Sequence, residues 1–154
     1  MPEMPAPWQL RPMQEADLAA VATLEAQSQF TPWSEQVFRD CLSEGYLCRV
    51  VTDVAGAVVA FVIIYCVLDE AHVLNIAVAP GYQRRGIAAA LLREMMDVLR
   101  PDTRCLFLEV RESNQAARAL YQRLGFVGTG MRRNYYRTAD GHEDAVLMRC
   151  ELPA

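Results

Sequence analysis

Residues Leu74–Leu92 read LNIAVAPGYQRRGIAAALL, and this stretch decides the fold. Leu74 to Val78 is a short apolar run of the kind a buried strand carries. Pro80-Gly81 ends it, and Ile87, Leu91 and Met95 then recur at helical spacing. Between strand and helix lies Gln83-Arg84-Arg85-Gly86-Ile87-Ala88. A loop that opens a helix presents backbone N–H groups that no intrahelical carbonyl can satisfy, and the aligned peptide dipoles add partial positive charge. That geometry suits phosphate, and Arg84 and Arg85 add charge and donors beside it. Gly86 lets a ligand come close to the backbone. The expectation is a phosphorylated cofactor at this turn.

Two common phosphate binders are excluded. A Walker A loop needs a lysine before Ser or Thr, and all 15 basic residues of this chain are arginine. A dinucleotide fingerprint needs G-x-G-x-x-G, a spacing that Gly81 and Gly86 do not meet. An ordinary arginine-flanked turn would look similar over so few residues, so the rest of the chain has to decide.

At 154 residues the chain fits a single domain, residues 1–154, with a core from about residue 9 to about residue 151. Its 53% hydrophobic content is high, yet no apolar run reaches the ~18 residues that span a membrane. The longest, Val54 to Leu68, is interrupted by Gly56 and rich in β-branched residues, so it reads as strand. The opening MPEMPAPW has neither a basic region nor a leader-like apolar stretch. A cytoplasmic location without membrane contact is expected. Five scattered cysteines, an odd number with no C-x-x-C pair, argue against a disulfide framework and against a zinc site. The net charge of −4 argues against nucleic acid as a direct partner and suits a basic peptide or an amine. Without lysine, Schiff-base chemistry is excluded.

The element order follows from periodicity and breakers. Trp8 to Pro12 is a first strand and Ala16 to Gln29 a helix. Ser34 is the N-cap of a second helix to about Leu42. Tyr46 to Asp53 and Val58 to Leu68 are strands joined around Ala55-Gly56, and a third strand runs through Val78. A helix to about Leu99 follows the loop. Cys105 to Val110, apolar on both faces, is a central strand. Asn114 to Leu124 is a helix; Phe126 onward and Ala145 to Glu151 close the sheet. The order β-α-α-β-β-β-α-β-α-β-β, in one α/β domain, predicts a mixed, mostly antiparallel sheet with flanking helices.

Two residues stand out chemically. Glu109 is a carboxylate inside CLFLEV. Burial there would raise its pKa toward the range wanted in a general base. It reads equally as a strand-end glutamate that emerges into solvent or pairs with Arg111. Tyr121 lies on the face of Ala117, Leu120 and Leu124, which by itself makes it a core tyrosine whose phenol needs a partner.

Taken together, these segments resemble the GCN5-related N-acetyltransferases. QRRGIA is similar to the family's Q/R-x-x-G-x-G/A pyrophosphate loop, with Ala88 as an accepted variant. Leu108 to Phe126 matches LEVRxxNxxAxxLYxxxGF, the second half of the family signature. Pro32-Trp33-Ser34, Leu68-Asp69-Glu70-Ala71, Arg132 to Tyr136 and Gly141 to Ala145 resemble the bacterial RimI-type branch, the ribosomal-protein alanine N-acetyltransferases. That resemblance runs from about Leu10 to Met148.

The resemblance implies the GNAT fold, acetyl-coenzyme A as cosubstrate, and no metal. The cofactor would lie between the strand ending at Val78 and the strand of Glu109. Ile76, Ala77 and Val78 would pair with its pantetheine, and Arg84, Arg85, Gly86, Ile87, Ala88 and Ala89 would hold its pyrophosphate. Asn114 would help hold it, or only cap the next helix. Glu109, directly or through water, would take a proton from the acceptor α-ammonium, and strand N–H groups would stabilise the oxyanion. Tyr121 would return a proton to the departing thiolate. Trp33, Tyr135 and Tyr136 would wall the acceptor groove or serve equally as core aromatics, and Glu35, Glu143 and Asp144 would attract a basic peptide or each belong to a solvated charge cluster. His142 has a place near that groove, and His72 carries no signal.

The implied partner is the N-terminus of a ribosomal protein, the alanine of small-subunit protein eighteen, and the implied state is a monomer or weak dimer. A small amine or other protein N-termini as acceptor, or an acyl-coenzyme A-binding module without catalysis, are the competing readings. Glu109 and Tyr121 together speak against the last.

Overall fold

The computed structural model describes residues 7–153; Met1–Ala6, most of the stretch read above as lacking a leader, and Ala154 lie outside the described residues. Strands are β1 (Gln9–Pro12), β2 (Leu47–Thr52), β3 (Val58–Val67), β4 (Glu70–Val78), β5 (Cys105–Arg111), β6 (Val127–Thr138) and β7 (Gly141–Glu151). Helices are α1 (Leu18–Ser28), α2 (Glu35–Ser43), α3 (Ile87–Leu99) and α4 (Gln115–Arg123). The strands form one sheet in the order β1-β2-β3-β4-β5-β7-β6. Every neighbouring pair is antiparallel except β4 and β5. Parallel neighbours need a crossover, and α3 supplies it. Element order and sheet class are those expected from the sequence.

Side-chain alternation along β3 explains how both faces are covered. Ala60, Val62 and Ile64 join Leu91, Met95 and Leu106 in one core, beneath α3. Phe61 and Ile63 point the other way and join Leu18, Val21, Leu24 and Phe38 of α1 and α2. A fully buried side chain of this size contributes roughly 1.5–3 kcal/mol, whereas an exposed ion pair contributes about 0–1 kcal/mol. The two apolar layers therefore hold the sheet.

Local chemistry moves some boundaries. The first helix begins at Leu18, because Asp17 is drawn to β1: Arg11 donates to both its oxygens at 2.7 and 2.8 Å. Glu15–Asp17 form a 3₁₀ turn instead of a helical start. Ser34 caps α2 as expected, accepting from Val37 N–H at 3.4 Å. The last strand starts at Gly141, four residues before its apolar run, because its polar beginning pairs with β6 through Thr138↔Gly141 and Arg137↔His142. Among the described residues no helix is long and apolar enough to cross a membrane.

Candidate active site

The site begins where β4 and β5 part. They pair only at Glu70↔Cys105, Ala71↔Leu106 and His72↔Phe107. Beyond that, β4 stays with β3 as far as Ala60↔Val78, and β5 stays with β7 as far as Arg111↔Ala145. A wedge therefore opens between residues 73–78 and 108–111. The register of β4 against β3 shifts here, with Ile63↔Asn75 beside Ile64↔Val73. Leu74 is thus the extra residue of a bulge, a feature that increases local twist. The edge of Ile76, Ala77 and Val78 facing this wedge is not laddered to β5, so its backbone groups suit an amide-bearing ligand.

At the open end of the wedge stands the N-terminus of α3. Gly86 is its N-cap, at φ +84°, and no side chain caps the helix. The first-turn amides of Ile87, Ala88 and Ala89 thus have no side-chain acceptor at the cap. Arg84 also has positive φ and is exposed, as is Arg85, whose guanidinium lies 5.3 Å from the centre of the Tyr82 ring. Tyr82 O–H donates to Asp53 at 3.2 Å, which ties this loop to the β2–β3 turn. A Cβ built on Gly86 would meet no protein atom within 4 Å, so the space before the helix is open to a ligand. Gly86→Asp should put bulk and negative charge there, on a backbone that disfavours any side chain. We expect affinity for coenzyme A to fall by at least about tenfold. Equal binding of variant and parent by calorimetry would remove the loop from the site.

Glu109 and Tyr121 lie on opposite faces of the sheet. Leu106, Leu108 and Val110 of β5 belong to the α3-side core, so alternation aims Glu109 at the face that α1 and α2 cover. Tyr121, on α4, is in the α3-side core at 8% exposure, its ring 5.8 Å from that of Phe126. Burial pushes its phenol up to about 12. The wedge is the gap through which the two faces communicate.

Tyrosines and arginines surround Glu109. Its side chain is 28% exposed and pairs with Arg132, Nε to Oε1 at 3.2 Å. The expected alternative partner, Arg111, is committed elsewhere, to Glu143 at 3.0 Å. Arg111 also lies over the Tyr136 ring at 4.5 Å, and Arg132 over the Tyr135 ring at 5.1 Å. The Tyr135 and Tyr136 rings meet edge to face at 5.0 Å. Both phenols are raised by burial first and then by the charge of Glu109; Tyr136 also senses Tyr121. Tyr135 and Tyr136 thus share one neighbourhood with Glu109, and Tyr136 lies between it and Tyr121. The β6–β7 register shifts between Arg132 and Tyr136, and there Asp144 accepts from the backbone N–H of Asn134 at 2.9 Å.

Other candidates are placed differently. Trp33 belongs to a separate contact set, with its ring 5.3 Å from Phe38. Asn114 accepts from Ala117 N–H at 3.1 Å and so caps α4; its amide donor lies on the other arm of the same side chain. The three carboxylates read as attractors for a basic peptide all have internal partners: Glu35 with Arg39, Glu143 with Arg111 and Ser113 N–H, and Asp144 with Asn134. His142 pairs with Arg137 in the β6–β7 ladder, and His72 stacks on Phe107 at 5.0 Å. Cys41, Cys48, Cys105 and Cys150 are buried thiols and Cys66 is exposed. Among the described residues no group of three or more His, Cys, Asp or Glu is placed to hold a metal.

Sequence reasoning missed Arg132 as the partner of Glu109, and it missed Glu25. No local pattern distinguishes Arg132 from Arg133. Glu25 had a signal: it lies four residues after Val21 and seven after Leu18, on the apolar stripe of α1.

The model of the acetyltransferase (GNAT) family matches residues 10–126. The chain is 46% identical, over 137 residues, to the [ribosomal protein bS18]-alanine N-acetyltransferase of Escherichia coli K12, covering 88% of this chain and 92% of that one. The crystal structure of the ribosomal-protein-S18-alanine N-acetyltransferase from Escherichia coli superposes with a TM-score of 0.89 at 42% identity, covering 96% of this chain and 95% of that one. A phosphinothricin acetyltransferase from Sinorhizobium meliloti, solved in complex with AcCoA, shares the fold at a TM-score of 0.82 and 22% identity, over 95% of this chain and 89% of that one.

Proposed function

The chain belongs to the acetyltransferase (GNAT) family, and from that premise we propose that it transfers the acetyl group of acetyl-coenzyme A to the α-amine of the N-terminal alanine of ribosomal protein bS18. The observation that carries the transfer reaction is the wedge between β4 and β5, with Glu109 on one face of the sheet and Tyr121 on the other. An acceptor amine and an acyl donor approaching from opposite faces meet only there. The acceptor is supported by the 46% identity to the [ribosomal protein bS18]-alanine N-acetyltransferase of Escherichia coli.

The residues present fit the donor. The uncapped start of α3 and the open space before Gly86 suit a pyrophosphate, with Arg84 and Arg85 as counter-charges. The unladdered edge of Ile76, Ala77 and Val78 suits the pantetheine amides, and Asn114, at the N-cap of α4, has an amide N–H left to donate. Acetyl-coenzyme A supplies an acyl group already activated as a thioester. Glu109 takes the proton from the acceptor ammonium, directly or through water. An α-amino group has a pKa of about 7.7–8.0, so little driving force is needed near neutral pH. The cation displaces or shares Arg132 as it reaches the carboxylate. Tyr121 faces the departing thiolate as hydrogen-bond donor and acid. Tyr135 and Tyr136 form one aromatic wall for the first residues of the peptide, and the loop of Trp33 forms the other.

Peptides beginning Ala-Arg, Ser-Arg and Met-Arg, incubated separately with enzyme and acetyl-coenzyme A, test the acceptor. Alanine should be acetylated fastest, and Tyr136→Ala should raise the peptide KM or lower turnover with coenzyme A affinity unchanged. Equal rates on all three peptides and on small amines would replace the alanine reading with a broader acceptor.

A further inference from the structure

We propose that Glu25 is a positioning residue for the acceptor: its buried carboxylate locks the loop between α1 and α2 onto β4 beside the wedge. The inference rests on the acceptor being a peptide α-amine, as proposed above. Glu25 is 1% exposed, on the core-facing stripe of α1. A carboxylate there has lost its hydration and persists only where donors replace it. Among the described residues no arginine or histidine pairs with it. Instead, Oε2 accepts two hydrogen bonds, from the backbone N–H of Trp33 at 3.0 Å and from Asn75 Nδ2 at 2.9 Å. Oε1 is buried, with no hydrogen-bond partner among the described residues.

The two donors come from the two sides of the reaction. Trp33 lies in the loop before α2, three residues after the exposed Phe30, on the face toward which Glu109 is aimed. Asn75 follows the Leu74 bulge and precedes Ile76, Ala77 and Val78, the edge that suits the donor. A single oxygen thus fixes the acceptor loop against the donor strand. Packing alone does not require this: an apolar side chain fills a core position without leaving a half-satisfied carboxylate. The arrangement is instead suited to registration, because transfer needs the amine held within near-attack distance of the acyl carbon. A loop free to shift by about 1 Å forfeits much of that advantage.

Kinetics on an Ala-Arg peptide, with coenzyme A affinity and hydrogen exchange at the Trp33 amide measured beside them, test the lock. Glu25→Ala should lower kcat/KM for the peptide by on the order of 10- to 100-fold. Coenzyme A affinity should stay within about twofold, and the Trp33 amide should exchange at least about tenfold faster. Asn75→Ala, which leaves Glu25 and α1 intact, should show a smaller loss of the same kind and serves if Glu25→Ala does not fold. Unchanged peptide kcat/KM in folded single variants, or equal losses in peptide and coenzyme A binding, would overturn the lock while leaving the acceptor assignment standing. A parent enzyme inactive on the peptide would overturn both.

Discussion

Glu109→Gln is expected to lower turnover by on the order of 10²–10⁴-fold, the range for loss of a general base, with affinity for acetyl-coenzyme A unchanged. The substitution keeps the length and planarity of the side chain, so the β5–β7 pairing at Glu109↔Leu147 should persist. It removes the charge that pairs with Arg132 and receives the acceptor proton. Single-turnover kinetics with saturating donor separate this chemical effect from binding. Full activity of the variant from about pH 6 to about pH 9 would assign Glu109 the structural task of holding Arg132 and leave the base to another group.

Tyr121→Phe is expected to cost about 10²-fold in turnover, at the low end of the acid–base range. Phenylalanine retains the ring that packs edge to face on Phe126, so the core should remain intact. The reason for the low end lies in the phenol itself. Burial raises it to about 12, above an ordinary thiol at about 8.5. Complete proton transfer to the leaving thiolate is therefore uphill, and much of the benefit comes from the hydrogen bond donated as charge develops. The sign of the pH dependence follows. A group with a raised pKa keeps its proton at every pH below that value, so Tyr121 contributes no loss of activity between about pH 7 and about pH 10. An alkaline limb in that interval that disappears in Tyr121→Phe would contradict this placement.

The parts of the fold written in local chemistry were legible. Pro80-Gly81, Ser34 and the Ala55-Gly56 turn each mark a boundary by backbone preference, and the structure places boundaries there. Leu68 shows the limit of such reading. It continues the apolar run of β3, but it lies in the turn to β4 at φ +55° and is 95% exposed. Hydrophobicity reports burial only where tertiary structure supplies a cover.

The candidate site divides in the same way. The loop at Gly86 could be read because anion binding at a helix start is a local property. The wedge could not be read from periodicity, since it arises where a non-local pairing between β4 and β5 ends. Nor could the choice of Arg132 over Arg111 for Glu109, which depends on a bulge in β6 and on Glu143 engaging Arg111. Glu25 was visible as a carboxylate on an apolar stripe, but its two donors lie 8 and 50 residues away along the chain.

The reaction is defined by which nitrogen is acetylated. A lysine amine, with a pKa of about 10.4, offers far less neutral nucleophile at pH 7 than an α-amine does. It also lacks the peptide backbone that the loop of Trp33 and the Tyr135–Tyr136 wall are proposed to hold behind the reacting atom. The deciding measurement uses a peptide with a free N-terminal alanine, arginine next and one internal lysine, with fragment mass spectrometry to locate the product acetyl group. Acetylation is expected at the α-nitrogen, with the lysine untouched until the N-terminus is consumed. Efficient acetylation of the lysine in the same peptide with its N-terminus blocked would contradict it.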